Sequence, residues 1–175
     1  MAAYVALLRG INVGGHRKVP MAALRVTAEA LGLRKVRTYV ASGNLVFETD
    51  LAAGTLETKL EKAIAEDFGF AVDVVVRSAA QWAALIAANP LQRESETQPN
   101  FVHMSAGKRE ATEADVATLA TKAGPNERVL MAGGAIWIWF GDGAGRSRIG
   151  TGKSTGVWTA RNWRTMLAIQ EMLQA

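Results

Sequence analysis

The chain has 175 residues, 49% of them hydrophobic and 21% charged, which is enough for a self-sufficient core and lies at the boundary between one larger domain and two small ones. It contains no cysteine, which excludes disulfides, thiol nucleophiles, iron–sulfur clusters and cysteine-based zinc sites and fits a reducing compartment. The net charge of +4 is uneven: residues 1–43 carry seven basic side chains against one acidic, residues 44–145 eight against fourteen, and residues 146–175 five against one. If the two ends meet in the fold they make a cationic surface that attracts phosphate or polyanions; otherwise these charges only solvate exposed faces.

Residues 1–8 are apolar but lack a basic leader region, and Arg9 interrupts them before a signal-peptide core is reached. Residues 4–9 (YVALLR) are therefore read as a buried first strand. After the loop at residues 10–19, Pro20 suits a first helical turn, and Met21, Leu24, Ala28 and Leu31 recur at helical spacing until Gly32. Residues 36–40 and 45–49 are strand-like and joined by Ala41-Ser42-Gly43-Asn44, a reversing turn, so they form a hairpin. Leu56, Leu60, Ile64 and Phe68 mark a second helix closed by Gly69, and residues 70–77 alternate as a strand does. The order βαββαβ is the ferredoxin-like motif.

Ser78 and Gln81 make a capping box for a third helix that carries Trp82, Leu85 and Ile86 inward and ends before Asn89-Pro90. The polar stretch 91–98 is the candidate linker. A strand at 101–105, a helix around Val116 and Leu119 stopped by Gly124-Pro125, two strands at 128–131 and 135–140 joined across Gly133-Gly134, and a last helix at 159–174 complete the order αβαββα. It resembles the first half with one outer strand missing or replaced. The expected fold class is α+β: two ferredoxin-like subdomains (βαββαβ followed by αβαββα), 1–77 and 78–175, with antiparallel sheets and helices on one face. No stretch approaches the roughly 20 apolar residues of a membrane-spanning helix, and a cytoplasmic location is expected.

Several loops hold polar residues that chemistry can use. Residues 9–18 (RGINVGGHRK) leave a strand and enter a helix, with glycines that let backbone N–H groups crowd an anion beside basic side chains. The spacing is neither that of a P-loop nor that of a dinucleotide fingerprint, and the same glycines also serve plain turn geometry. At the hairpin tip, Ser42 and Asn44 either face a ligand or only make the turn. Thr159 reads as the N-cap of the last helix, leaving Arg161, Asn162 and Trp163 exposed at its positive end, where a cation implies an acidic partner inside or outside the protein. Trp137 and Trp139 share one face of a strand, either stacking on bases or packing between the two halves. The glycine-punctuated loop 141–148, continuing through Lys153 and Ser154, either closes over a ligand or merely connects. His16 and His103 are the only histidines, no catalytic motif surrounds them, and His103 reads as a hydrogen-bonded sheet residue. No cofactor or metal site is expected.

The segments ALLRGINVGG (6–15), YVASGNLVF (39–47) and TARNW (159–163) resemble the signatures of the bacterial family called domain of unknown function 1697. That resemblance implies two ferredoxin-like halves and no assigned activity. Its signature residues fall on Arg9, Asn12, Gly14, Gly15, Lys18, Ser42, Asn44, Arg161, Asn162 and Trp163, which make up the candidate ligand-binding set. The first expectation is a module that binds an anionic small molecule or nucleic acid. Arg9, Lys18 and Arg161 would neutralise charge, Asn12, Ser42, Asn44 and Asn162 would orient the ligand, and Trp163 would stack. The alternatives are an enzyme on a small anionic metabolite without a covalent nucleophile, or a structural role for these residues in joining the halves.

Overall fold

The computed structural model describes residues 1–151 and 155–175; Lys153 and Ser154, the end of the glycine-punctuated loop, lie outside the described residues. The chain divides into two compact units, one of Met1–Ala83 with Ala168–Ala175, the other of Ala84–Leu167.

The first unit runs β1 (Ala2–Leu8), α1 (Met21–Ala30), β2 (Arg34–Tyr39), β3 (Asn44–Thr49), α2 (Ala53–Phe68) and β4 (Val74–Ser78). The strands form a sheet in the order β2-β3-β1-β4, every neighbour antiparallel. This is the ferredoxin-like arrangement expected from the element order. Alternation decides what each face carries: Ala6, Leu8, Leu45, Phe47, Val74 and Val76 meet Leu24 and Ala28 of α1 and Leu56, Leu60 and Ile64 of α2 in one buried cluster. Gly69 closes α2 in the left-handed region at φ 81°, with its N–H on the Ala65 carbonyl, a conformation that costs glycine nothing sterically.

The next elements are α3 (Ala79–Ala88), α4 (Gln92–Thr97), a 3-10 turn (Pro99–Phe101), β5 (Val102–Gly107), α5 (Glu113–Ala120), β6 (Glu127–Ala132), β7 (Ala135–Phe140), two further 3-10 turns, β8 (Trp158–Asn162) and α6 (Trp163–Gln174). The capping box of α3 is present, Ser78 Oγ accepting from Gln81 N at 3.1 Å and Gln81 Oε1 from Ser78 N at 2.8 Å. The stretch 91–98 is not an open linker. Leu91 is fully buried, and Asn89 Nδ2 donates to buried Ser95 Oγ at 2.8 Å, so side chains that look polar in sequence fold a short helix back on itself.

The second sheet has the order β6-β7-β5-β8, and its register repeats the first. Tyr4 pairs with Ser78 as His103 pairs with Asn162, and Val5 with Arg77 as Met104 with Arg161. The outer strand expected to be missing is therefore present, within the stretch read as the start of the last helix. Thr159 buried, Ala160 exposed and Arg161 buried follow a period of two, and pairing with β5 overrides the helical reading. The element that is absent among the described residues is a helix between β7 and β8, the place that α2 holds in the first unit. α6 begins four residues later than expected, at Trp163, and Asn162 is its cap, Oδ1 accepting from Thr165 N at 2.9 Å. No helix among the described residues is long and apolar enough to cross a membrane.

Candidate functional site

In the first unit, residues 12–17 form a small two-sided arm. Asn12 N donates to the Arg17 carbonyl at 3.0 Å, His16 N to the Val13 carbonyl at 3.0 Å, and Gly14 and Gly15 turn the tip at φ 59° and 76°. Two consecutive left-handed residues are the demand of a type I′ turn, which glycine meets without a Cβ clash. The arm is exposed at its tip, and the amides of Gly14 and Gly15 have no hydrogen-bond partner among the described residues.

Asn12 locks this arm to its surroundings. Its Oδ1 accepts from Val19 N at 2.8 Å, and its Nδ2 donates to the carbonyls of Val19 at 3.0 Å and Ala41 at 2.8 Å. Residue 12 itself sits at φ 54°, which asparagine tolerates better than most residues. The loop and the hairpin tip are thus brought together, with Asn12 as the brace between them. Arg17 anchors the opposite side, Nε on the Gly10 carbonyl at 2.9 Å, Nη2 on the Ala71 carbonyl at 2.7 Å and the guanidinium over the Phe70 ring.

Asn44 is fully buried and its Nδ2 donates to the Tyr39 carbonyl at 2.9 Å and to Ser42 Oγ at 3.2 Å. These bonds hold the hairpin turn. Gly43 is obligatory there, because a Cβ would come within 2.7 Å of Ile11 Cδ1 and 2.9 Å of Leu8 Cβ, at φ 92°. The same turn forces Val40, a β-branched residue, to φ 51° while half exposed, a conformation that costs on the order of 1–3 kcal/mol. Arg9 is about half exposed and its Nη1 lies 3.7 Å from Asp73 Oδ2, a loose surface pair.

Beside the arm is a groove of about 400 Å³, lined by Asn12, Gly15, Lys18, Val19, Pro20, Met21 and Ala41. Three of the ten residues singled out from sequence line it. α1 starts at its edge with Pro20 as N-cap, which offers no side-chain acceptor, and without an acidic residue in the first turn. The first N–H groups of that helix are therefore uncapped by side chains. Lys18 is exposed and makes no ion pair or side-chain hydrogen bond among the described residues.

The third signature segment belongs to the second unit. Arg161 is not exposed at a helix start: it lies on β8, 6% exposed, on the face that also carries Met104 and Trp137. Its Nη1 donates to Thr159 Oγ1 and to the Ala160 carbonyl, both at 2.8 Å, and burial pulls its pKa down to about 10. Trp163 is half-buried, its ring 6.0 Å from that of Trp137. Trp137 is fully buried with Nε1 on the Ala132 carbonyl, and Trp139 Nε1 donates to Gln98 Oε1. Trp137 thus has no open face to offer a base, because it is fully buried and packs against Trp163. His103 is the sheet residue expected, its Nε2 3.2 Å from the Asn100 carbonyl and its ring edge-on to Phe140. Burial lowers its pKa more than the Asn100 contact raises it.

Sequence reasoning missed Arg109. Its Nη1 and Nη2 grip both oxygens of buried Asp115 at 2.8 Å, Nη2 also reaches the Thr155 carbonyl and hydroxyl, and the guanidinium lies over Trp158. Asp115 holds the Arg109 pKa above its ordinary value. The signal was the capping box Thr112-x-x-Asp115, legible three residues after the arginine.

These features define a protein of two ferredoxin-like halves whose first half carries a braced arm and a groove at the start of a helix. The chain belongs to the DUF1697 family, described as a protein of unknown function, whose model matches residues 1–137. A solved structure of the conserved bacterial protein SP0830 from Streptococcus pneumoniae is similar to it, at 28% identity and a TM-score of 0.74, with 98% of each chain covered. No curated protein matches the chain.

Proposed function

We propose that this chain is a binding module for a phosphate-bearing or other anionic ligand, held in the groove between the glycine arm and the start of α1. The observation that carries the reading is the convergence on one groove of an unpaired Lys18, the Gly15 turn and a helix start without a capping side chain. Backbone N–H groups at such a start favour an anion, by roughly 0.3–1 kcal/mol for the dipole on an exposed surface, and Lys18 adds a mobile charge. Asn12 acts as the brace that keeps arm and groove in register, and Val19, Pro20, Met21 and Ala41 offer an apolar floor for the rest of the ligand. Arg9 contributes long-range attraction from its half-exposed position.

The test is fluorescence anisotropy of labelled single-stranded RNA and DNA, and competition by mononucleotides, at low and moderate salt. Binding that weakens with salt and falls several-fold in Lys18→Ala supports the reading. No binding of any of these anions, or binding indifferent to Lys18→Ala, overturns it.

For Arg161, Asn162 and Trp163 a structural reading is favoured by the burial of Arg161, by Asn162 capping α6 and by Trp163 packing on Trp137. Arg161→Ala then lowers thermal stability and leaves anion affinity intact; a loss of affinity with unchanged stability would contradict this.

A further inference from the structure

In the first unit the chain leaves β3 and enters α2 almost at once, whereas in the second it leaves β7 into a glycine-rich turn. That turn is pressed against the loop between α5 and β6: Gly141 N donates to the Asn126 carbonyl at 2.8 Å, and a Cβ on Gly141 would stand 2.5 Å from that oxygen. Where the two loops part they enclose a cavity of about 240 Å³, lined among others by Lys122, Asn126, Glu127, Asp142, Arg146 and Arg148.

The lining of this cavity is chemically mixed. Lys122 and Arg146 are exposed and their charged heads have neither an ion pair nor a side-chain hydrogen bond among the described residues. Glu127 is already engaged, Oε1 accepting from Gly124 N at 2.8 Å. Asp142 accepts from Asn126 Nδ2 only at 3.3 and 3.4 Å, long contacts that a better donor can replace. The lining therefore combines uncommitted cations with a carboxylate and an amide, each loop supplying one of the cations. A cavity this small is below the usual range for nucleotide-sized ligands. The carboxylates of Glu127 and Asp142 also repel a second phosphate, which disfavours polyphosphates and nucleic acid chains.

We infer that this cavity is a second binding site, independent of the groove at α1, for a small hydroxyl-bearing phosphate monoester. Lys122 and Arg146 take the phosphate, Arg146 through two N–H donors in a fork, while Asp142 accepts from a hydroxyl and Asn126 accepts or donates beside it.

The experiment is a titration of the full chain with glycerol 3-phosphate, followed by amide shifts in two-dimensional ¹⁵N spectra, with inorganic phosphate and glycerol as separate probes. Saturable shifts at Lys122, Gly143 and Arg146, at least tenfold tighter for the monoester than for inorganic phosphate and lost by tenfold or more in Lys122→Gln/Arg146→Gln, are the expected result. Both substituted side chains are exposed, so the variant folds, and the spectrum itself verifies this. Equal affinity for monoester and inorganic phosphate overturns the monoester assignment. Shifts confined to Gly15 and Lys18, or unchanged in the double variant, overturn the site.

Discussion

The two halves of this protein share a strand order and a pairing register and differ in one crossover. Between β3 and β4 the first half places α2, whose Leu56, Leu60 and Ile64 bury the sheet. Between β7 and β8 the second half places a loop, and the buried cluster there reduces to Leu119, Ile136, Ile138, Phe140 and Ile149 with partly buried neighbours. With no second helix among the described residues, the sheet face is covered by other means: one aliphatic residue, Ile149, enters the cluster, Trp158 packs against Gly107 of β5, and Arg109 ties Thr155 to Asp115 of α5. Gly107 makes the second device possible. It occupies the register position that Leu8 holds in the first sheet, and a Cβ there would stand 2.7 Å from the Trp158 ring.

The comparison breaks first at the cores. Leu60→Ala, in a fully buried helix position, is expected to cost about 3 kcal/mol or more, since a rigid helix collapses poorly onto a cavity. Ile149→Ala, equally buried but on a loop, should cost less, about 2 kcal/mol, because the loop relaxes; denaturant unfolding measures both, and an Ile149 loss larger than the Leu60 loss would contradict the contrast. Gly107→Ala comes next, about 1–3 kcal/mol from the clash with Trp158; Gly107→Ala with Trp158→Leu should restore part of it, and full additivity of the two would sink the explanation. The brace follows: Arg109→Lys keeps the charge but loses the fork, and should cost about 1–2 kcal/mol, read as a lowered melting temperature.

The smallest effect is a pH dependence. His103 has a pKa lowered by burial in the folded state, so the unfolded chain binds the proton more readily. The contribution of neutral His103 is complete above the unfolded value of about 6.5 and is lost as pH falls through the window below it. Melting temperatures of the protein and of His103→Gln should converge between pH 7 and pH 5; parallel curves would contradict the burial effect.

Much of the fold was legible in the sequence because its determinants are local. Gly32 and Gly69 stop helices, Ser78 with Gln81 starts one, and residues 135–140 are an unbroken apolar run. The outer strand β8 was not legible, because Thr159-Ala160-Arg161 carries too few apolar residues to show a period of two, and its pairing partner β5 lies far away in sequence. The polar helix α4 was hidden for a related reason, its side chains Asn89 and Ser95 being satisfied by each other inside the protein. The candidate site was legible in part. Asn12, Gly15 and Lys18 do line one groove, but sequence cannot tell a ligand-facing asparagine from a brace, and Asn44 bonds the backbone of its own turn.

Whether the arm and the start of α1 hold an anion is tested most directly by titration of ¹⁵N-labelled protein with adenosine monophosphate. Saturable shifts are expected at Gly14, Gly15, Lys18 and the first amides of α1, reached only at several-fold higher ligand in Lys18→Ala while the Asn12 and Asn44 side-chain signals stay in place. Equal affinity in wild type and variant, or no shift in these amides at millimolar ligand, would contradict the anion site.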